Sequence, residues 1–228
     1  MRSFRVWTPI AVVVRIFLVW AAGVIVVAAC APSTPGAAGG DPAPVVVDDS
    51  AGRGSVPVGY GSLRQDDIAT RLEPPGLIVR AIPLDENIIR LLTPDSYRAL
   101  RDLQESNRRT IEQITRRSGG RAPDLWYVSF YGLEDNARFS PMDLVITSGG
   151  QDFRPIDVIP LSTGFGEQRL RQRETQSAVY VYPGDIDVDH PLTVTFQGQR
   201  NSLWEQVLQR IERERALVRA RASGGSAR

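Results

Sequence analysis

Leu125-Trp126-Tyr127-Val128-Ser129-Phe130-Tyr131 is the stretch that decides the fold. In an extended chain Leu125, Tyr127, Ser129 and Tyr131 fall on one face, and Trp126, Val128 and Phe130 on the other. Both faces are then largely apolar, whereas a strand with one wet face alternates apolar with polar residues. A strand of this kind lies inside a sheet and is covered on both sides.

Such a strand needs partners, and the flanking sequence supplies them. Residues 77–82, Leu-Ile-Val-Arg-Ala-Ile, are rich in strand formers and bounded by Pro74-Pro75-Gly76 and Pro83. Residues 142–147 and 151–154, joined across Ser148-Gly149-Gly150, read as a β-hairpin. Residues 156–161 are expected to continue its second strand, with Pro155 and Pro160 confining them to an edge or a bulge. Residues 175–182 and 191–196 complete the set, separated by the Pro183-Gly184 turn and an acidic segment ending at Asp189. Short strands at this spacing predict an α+β protein built on an antiparallel β-sandwich or curled sheet of about 5–7 strands.

The helices carry a different period. Residues 66–72 suggest a short one. Thr93 as N-cap and Pro94 at the first helical position open a long helix over 94–117. Tyr97, Leu100, Leu103, Ile111 and Ile114 form its apolar side, and Ser118-Gly119-Gly120 stops it. Its polar face, from Arg101 to Arg117, offers pairs such as Glu105 with Arg109 and Glu112 with Arg116. At the end of the chain Ser202 and Glu205 fit a capping box. Trp204, Val207, Leu208, Ile211 and Val218 then make one stripe, predicting a helix over 202–221 packed on the sheet or on the first helix. Residues 62–222 thus make a single α+β domain of about 160 residues, followed by a disordered tail at 223–228.

The amino-terminal end reads in another register. Arg2, Arg5 and Arg15 supply positive charge, an apolar run follows over 16–27, and Val27-Ala28-Ala29-Cys30 closes the segment with the chain's only cysteine. That order is a secretory signal, and the uninterrupted apolar part is shorter than the roughly 20 residues of a membrane span. The motif resembles the lipobox of bacterial lipoproteins. The resemblance implies a signal peptide at 1–29, cleavage between Ala29 and Cys30, and diacylglycerol on the Cys30 thiol. Two or more acyl chains suffice for stable membrane anchoring. Expected localisation follows: exported and lipid-anchored, on the outer membrane facing the periplasm in a diderm cell.

Residues 30–61 are rich in Ala, Pro and Gly, with Pro32, Pro35, Pro42, Pro44 and Pro57 breaking regular structure. They read as a tether whose coil dimension is roughly 30 Å. The strand-and-loop order of the domain also resembles small immunoglobulin-like domains of bacterial surface lipoproteins, which implies a sandwich. A single cysteine allows no disulfide within the chain, so the core must hold the domain.

All 27 basic residues are arginine. Removing Arg2, Arg5 and Arg15 with the signal leaves 24 against 26 acidic residues, near −2. That balance argues against nucleic acid as a partner. Arg169, Arg171 and Arg173 alternate, and in an extended segment they would present three guanidinium groups on one face. This is the candidate contact for an envelope protein, glycan or lipid, since guanidinium grips carboxylate and phosphate in a bidentate manner. An arginine-protected edge strand is the simpler alternative.

Catalytic signatures are sparse. His190 is the single histidine, sits before Pro191, and has no Gly-x-Ser-x-Gly companion. Asp185, Asp187 and Asp189 start like a calcium loop, but His190 stands where that loop needs glycine and Phe196 where it needs glutamate. Gly164-Phe165-Gly166 matches no phosphate or dinucleotide loop, and Phe165 is expected to plug the end of the sandwich. No cofactor or metal is expected. The best expectation is a non-catalytic binding or structural role at the envelope. The alternative is an envelope-polymer hydrolase using paired carboxylates, with Glu134 and Asp135 as the acids nearest an aromatic strand.

Overall fold

The computed structural model describes residues 56–225, and all of these belong to one compact unit, Val47–Arg228. The signal segment, Cys30 and the tether up to residue 55 lie outside the described residues. Val56 is already buried, so packing begins upstream of Ser62.

The sequence Leu125–Tyr131 forms the middle of β3 (Asp124–Gly132), the central strand of a five-stranded antiparallel sheet. Its order is β1 (Thr70–Leu72), β2 (Leu77–Pro83), β3, β9 (Thr175–Tyr182) and β7 (Asp157–Pro160). Trp126, Val128 and Phe130 are at most 1% exposed and lie opposite Tyr180, Ala178 and Gln176 of β9. The other face carries Tyr127 beside Val179 and Leu125 beside Val181, and both valines are fully buried.

A second antiparallel sheet has the order β11 (Gln199–Asn201), β10 (Leu192–Phe196), β5 (Val145–Ser148) and β6 (Gln151–Phe153). Phe130 of the first sheet meets Phe196 of the second at a ring separation of 5.5 Å. The Tyr182 hydroxyl donates to Leu144 O across the same interior at 3.1 Å. Phe130 also stacks on Phe139 at 4.4 Å and meets Phe165 edge-on at 6.0 Å, so Phe165 plugs the end of the aromatic core.

The expected α+β architecture of antiparallel sheets with a C-terminal helix packed on them is present, with eleven strands among the described residues. Five of them, β1, β4 (Ala137–Arg138), β6, β8 (Arg169–Leu170) and β11, are two or three residues long and too short to carry a hydrophobic period. Two hairpins close on paired left-handed residues. Gly149-Gly150 (φ 57° and 80°) joins β5 to β6, and Gln197-Gly198 (φ 46° and 79°) joins β10 to β11. A two-residue loop with both φ positive matches the twist of the strands it connects.

Several expectations are corrected. Residues 66–72 form no helix: a 3₁₀ turn at Gln65–Asp67 leads into β1, where Thr70 and Leu72 face inward. Residues 156–161 do not extend the β5–β6 hairpin. Pro155 breaks the chain there, and β7 joins the other sheet beside β9, at an edge where Pro160 needs no ladder donor.

The helix expected over 94–117 is two helices, α2 (Pro94–Ser106) and α3 (Arg108–Arg117), after a single turn α1 (Glu86–Ile89). Asn107 breaks it. Its side-chain amide donates to Leu103 O at 2.8 Å and its backbone sits at φ −102°, ψ 5°. Asparagine competes in this way for the carbonyl that a continuing helix would use. The pair still contributes Leu100 and Ile114 to the core, with Leu103 and Ile111 packed against it. Gln104 fastens α2 to the end of β2 through Leu84 O at 2.7 Å. Thr93 precedes Pro94 as expected, but its hydroxyl bonds Ser96 Oγ, not a backbone N–H.

The last helix, α4, spans Trp204–Gly225, past the expected start of the tail. Among the described residues no hydrogen bond joins Ser202 to Glu205; just ahead of the helix, Asn201 Oδ1 accepts the Leu203 N–H at 2.8 Å in an Asx turn. Trp204, Val207, Ile211 and Val218 are buried as the stripe requires, and the Trp204 indole donates to Val188 O at 3.0 Å. Glu214 lies on the same stripe and is only 4% exposed. Its Oε1 accepts the Ser62 N–H and hydroxyl, each at 2.9 Å, and pairs with Arg221 at 2.7 Å.

Candidate functional site

The arginines at 169, 171 and 173 do not lie along one strand. Only Arg169–Leu170 is extended, and Arg173 takes a left-handed conformation at φ 64°. The reason is local. The Arg173 N–H donates to Gly132 O at 2.8 Å, the Gly132 N–H donates to Glu174 O at 2.9 Å, and the Glu174 N–H closes back on Arg171 O at 3.1 Å. This turn folds against the end of β3 because Gly132 has no side chain. A Cβ there would stand 2.3 Å from Arg171 O.

The turn nevertheless gathers the three arginines around one open cleft. It has a volume of about 630 Å³, and Thr163, Glu167, Gln172, Glu174 and Gln176 share its lining. Leu170, 1% exposed, anchors the segment to the core. Glu174 is occupied: its carboxylate accepts the Arg171 N–H and the Gln176 amide, both at 2.8 Å. The backbone N–H of Arg171, then the Gln176 amide, and lastly the Arg171 charge hold this carboxyl below the usual glutamate range. Gln176 also donates to Arg169 O at 3.1 Å, so its buried amide sets the floor of the cleft.

A fourth arginine belongs to the patch. In the β4–β8 ribbon Arg138 is the direct cross-strand partner of Arg169. A second cleft of about 340 Å³ is lined by Arg138, Phe139, Ser140, Glu167, Arg169 and Gln197, and it shares Arg169 and Glu167 with the first. Like charges placed directly opposite cost roughly 0.2–1 kcal/mol. Among the described residues none of these four guanidinium groups is held in an ion pair. Elsewhere arginines are divided: some are matched, as in Arg215 with Asp189 and Glu212, Arg108 with Glu105 and Glu112, or Arg80 with Asp66, while others, such as Arg109, Arg116 and Arg117, are in no ion pair among the described residues. Arg138 carried no signal in the sequence, because the ribbon that places it joins segments about thirty residues apart.

The other candidates are dispersed or already engaged. His190 is exposed and bonds Asp187 at 2.6 Å in its own turn. Asp185 pairs with Arg121, Asp187 with His190, and Asp189 with Arg215, so the three acids face three different partners. Among the described residues no group of three or more His, Cys, Asp or Glu side chains converges as a metal site would require. Glu134 and Asp135 sit in the exposed turn between β3 and β4.

Two half-buried aspartates line a smaller cleft of about 170 Å³ beside Gln104. Burial raises the carboxyls of both Asp85 and Asp124. Both are committed to backbone: Asp85 accepts the N–H of Asn87 and Ile88 as the cap of α1, and Asp124 accepts that of Ile186. Of the neighbouring charges, Asp85 feels Asp189 and Arg215, and Asp124 feels Asp185 and Arg121.

The chain matches no family model, and comparison with the curated proteins and with the solved structures gives no match either. Among the described residues no helix is long and apolar enough to cross a membrane.

Proposed function

We propose that this chain is a bacterial envelope lipoprotein, held at a membrane through Cys30, whose domain has a non-catalytic binding role carried by the arginine-lined cleft. The observation that carries the anchoring is the order of the first thirty residues: early arginines, an apolar run, then Ala28-Ala29 before the single cysteine. The binding role is supported by four guanidinium groups gathered around two adjoining clefts with no ion pair among the described residues. Of the two acids that line the first cleft, Glu174 is not suited to be the general acid of polymer hydrolysis. Glu174 is held below its ordinary pKa, opposite to what a general acid needs.

Metabolic labelling with a fatty acid tests the anchor. Wild-type protein should take up label and migrate as the mature form, whereas Cys30→Ala should remain unlabelled and uncleaved. Continued acyl labelling of Cys30→Ala would overturn the assignment.

A further inference from the structure

Building on the binding role proposed above, we infer that the two adjoining clefts form one site for a ligand carrying at least two phosphate groups. Guanidinium presents a planar fork of N–H donors that matches phosphate oxygens in pairs. Arg138 and Arg169 stand side by side across the β4–β8 ribbon, and Arg171 and Arg173 follow on the turn that closes against Gly132. Only Glu167 and Glu174 oppose them in the lining, which leaves the site at net +2. Two clefts sharing Arg169 call for two anionic groups within one ligand. The larger alone, at about 630 Å³, falls in the size range of small-molecule sites.

The scaffold is set before any ligand arrives. Glu174 is tied to Arg171 N–H and Gln176, Gln176 to Arg169 O, and Gln172 to Leu133 O at 3.2 Å. The amide N–H groups of Gln172 and Gln176 are thus taken up within the turn, Gln176 Oε1 is buried without a partner among the described residues, and the guanidinium groups are the charged donors left to bind. The phosphate can come from a lipid headgroup of the anchoring membrane or from a soluble diphosphate, and the chemistry of recognition is the same.

Binding of pyrophosphate to the full chain in non-ionic detergent, measured by titration calorimetry, tests the site. Changing Arg138, Arg169, Arg171 and Arg173 together to Gln should weaken binding about 100-fold. Changing the same four to Lys keeps the charge and should lose roughly tenfold, through loss of the paired geometry. The control with Arg98, Arg101, Arg108 and Arg109 changed to Gln removes the same charge from α2 and α3 and should bind as wild type. Equal affinity in wild type and the cleft Gln variant would overturn the site, as would equal loss in the control; if the Gln variant does not fold, undiminished binding by the Lys variant overturns it.

Adding cardiolipin, an anionic lipid with two phosphates, or phosphatidylcholine to the micelles identifies the source. Competition by the anionic lipid alone assigns a headgroup ligand, and no competition assigns a soluble one. Because Cys30→Ala protein should bind pyrophosphate equally, failure of the anchor and failure of the cleft give different results.

Discussion

Ser62 gives both its backbone N–H and its hydroxyl to the carboxylate of Glu214, 152 residues later in the chain. Glu214 stands in the middle of the apolar stripe of α4, where a hydrophobic residue would be expected. Its acidic group is matched by two donors from Ser62 and one from Arg221. Ser62 and Arg221 are exposed and can turn to water without it, so what Glu214 contributes is the net worth of these charge-assisted bonds.

Glu214→Ala should therefore cost about 2 kcal/mol and lower the melting temperature by about 4–8 °C. Thermal unfolding followed by circular dichroism measures it. A melt within a degree of wild type would show that the Ser62 contact adds nothing to stability.

Gly61 lies one residue before that contact, and its position is fixed by shape. A Cβ there would sit 2.2 Å from Leu91 O and 2.5 Å from Leu92 O, backbone atoms that cannot swing aside. Gly61→Ala should destabilise by about 3 kcal/mol or more. Gly166→Ala, where the added carbon meets nothing within 4 Å, should unfold in urea as wild type does.

Tyr180 and Tyr182 stack at 6.4 Å in the same interior but differ in their hydroxyls. Tyr182 donates to Leu144 O, while Tyr180 Oη is buried with no hydrogen-bond partner among the described residues. Tyr180→Phe should be neutral or stabilising, whereas Tyr182→Phe should cost about 1 kcal/mol by stranding a buried carbonyl. Denaturant midpoints separate the two.

Burial holds both phenols well above the ordinary value of 10.0. The unfolded chain therefore releases these protons first, and the folded state retains more of them as pH rises past 10. Stability is complete below that point and declines above it. Tyrosinate absorbance from this pair should appear together with unfolding. Its appearance in a fully folded protein would contradict the burial.

How much of this was legible beforehand depended on the range of the interactions. Alternation in Leu125–Tyr131 is a local property, and it correctly marked β3 as central. The stripe from Trp204 to Val218 marked α4 by the same logic. Asn107 was harder, because an asparagine at mid-helix reads as solvated until its amide is seen bonding Leu103 O. β7 went to the wrong partner since a proline after a hairpin strand does not say which sheet the chain enters next.

The cleft was half visible. The alternation at 169, 171 and 173 named three arginines that line one cleft but gave the wrong geometry, because the Arg173 N–H bonds Gly132 O in a left-handed turn. Arg138 was invisible, since only cross-strand pairing over a long sequence distance puts it beside Arg169. Glu214 could have been found: it falls in step with 204, 207, 211 and 218, and a carboxylate on a buried stripe has to meet a donor.

The outermost strands of the two sheets, β1, β7, β11 and β6, are each three or four residues long. β7 ends on Pro160, and Asn201 of β11 reaches across to bond Arg71 O of β1 at 2.7 Å, linking two of the margins to each other. A long bare margin would recruit neighbouring molecules into a growing ribbon. These clipped and stitched margins leave little open ladder along which one molecule could extend the sheet of another.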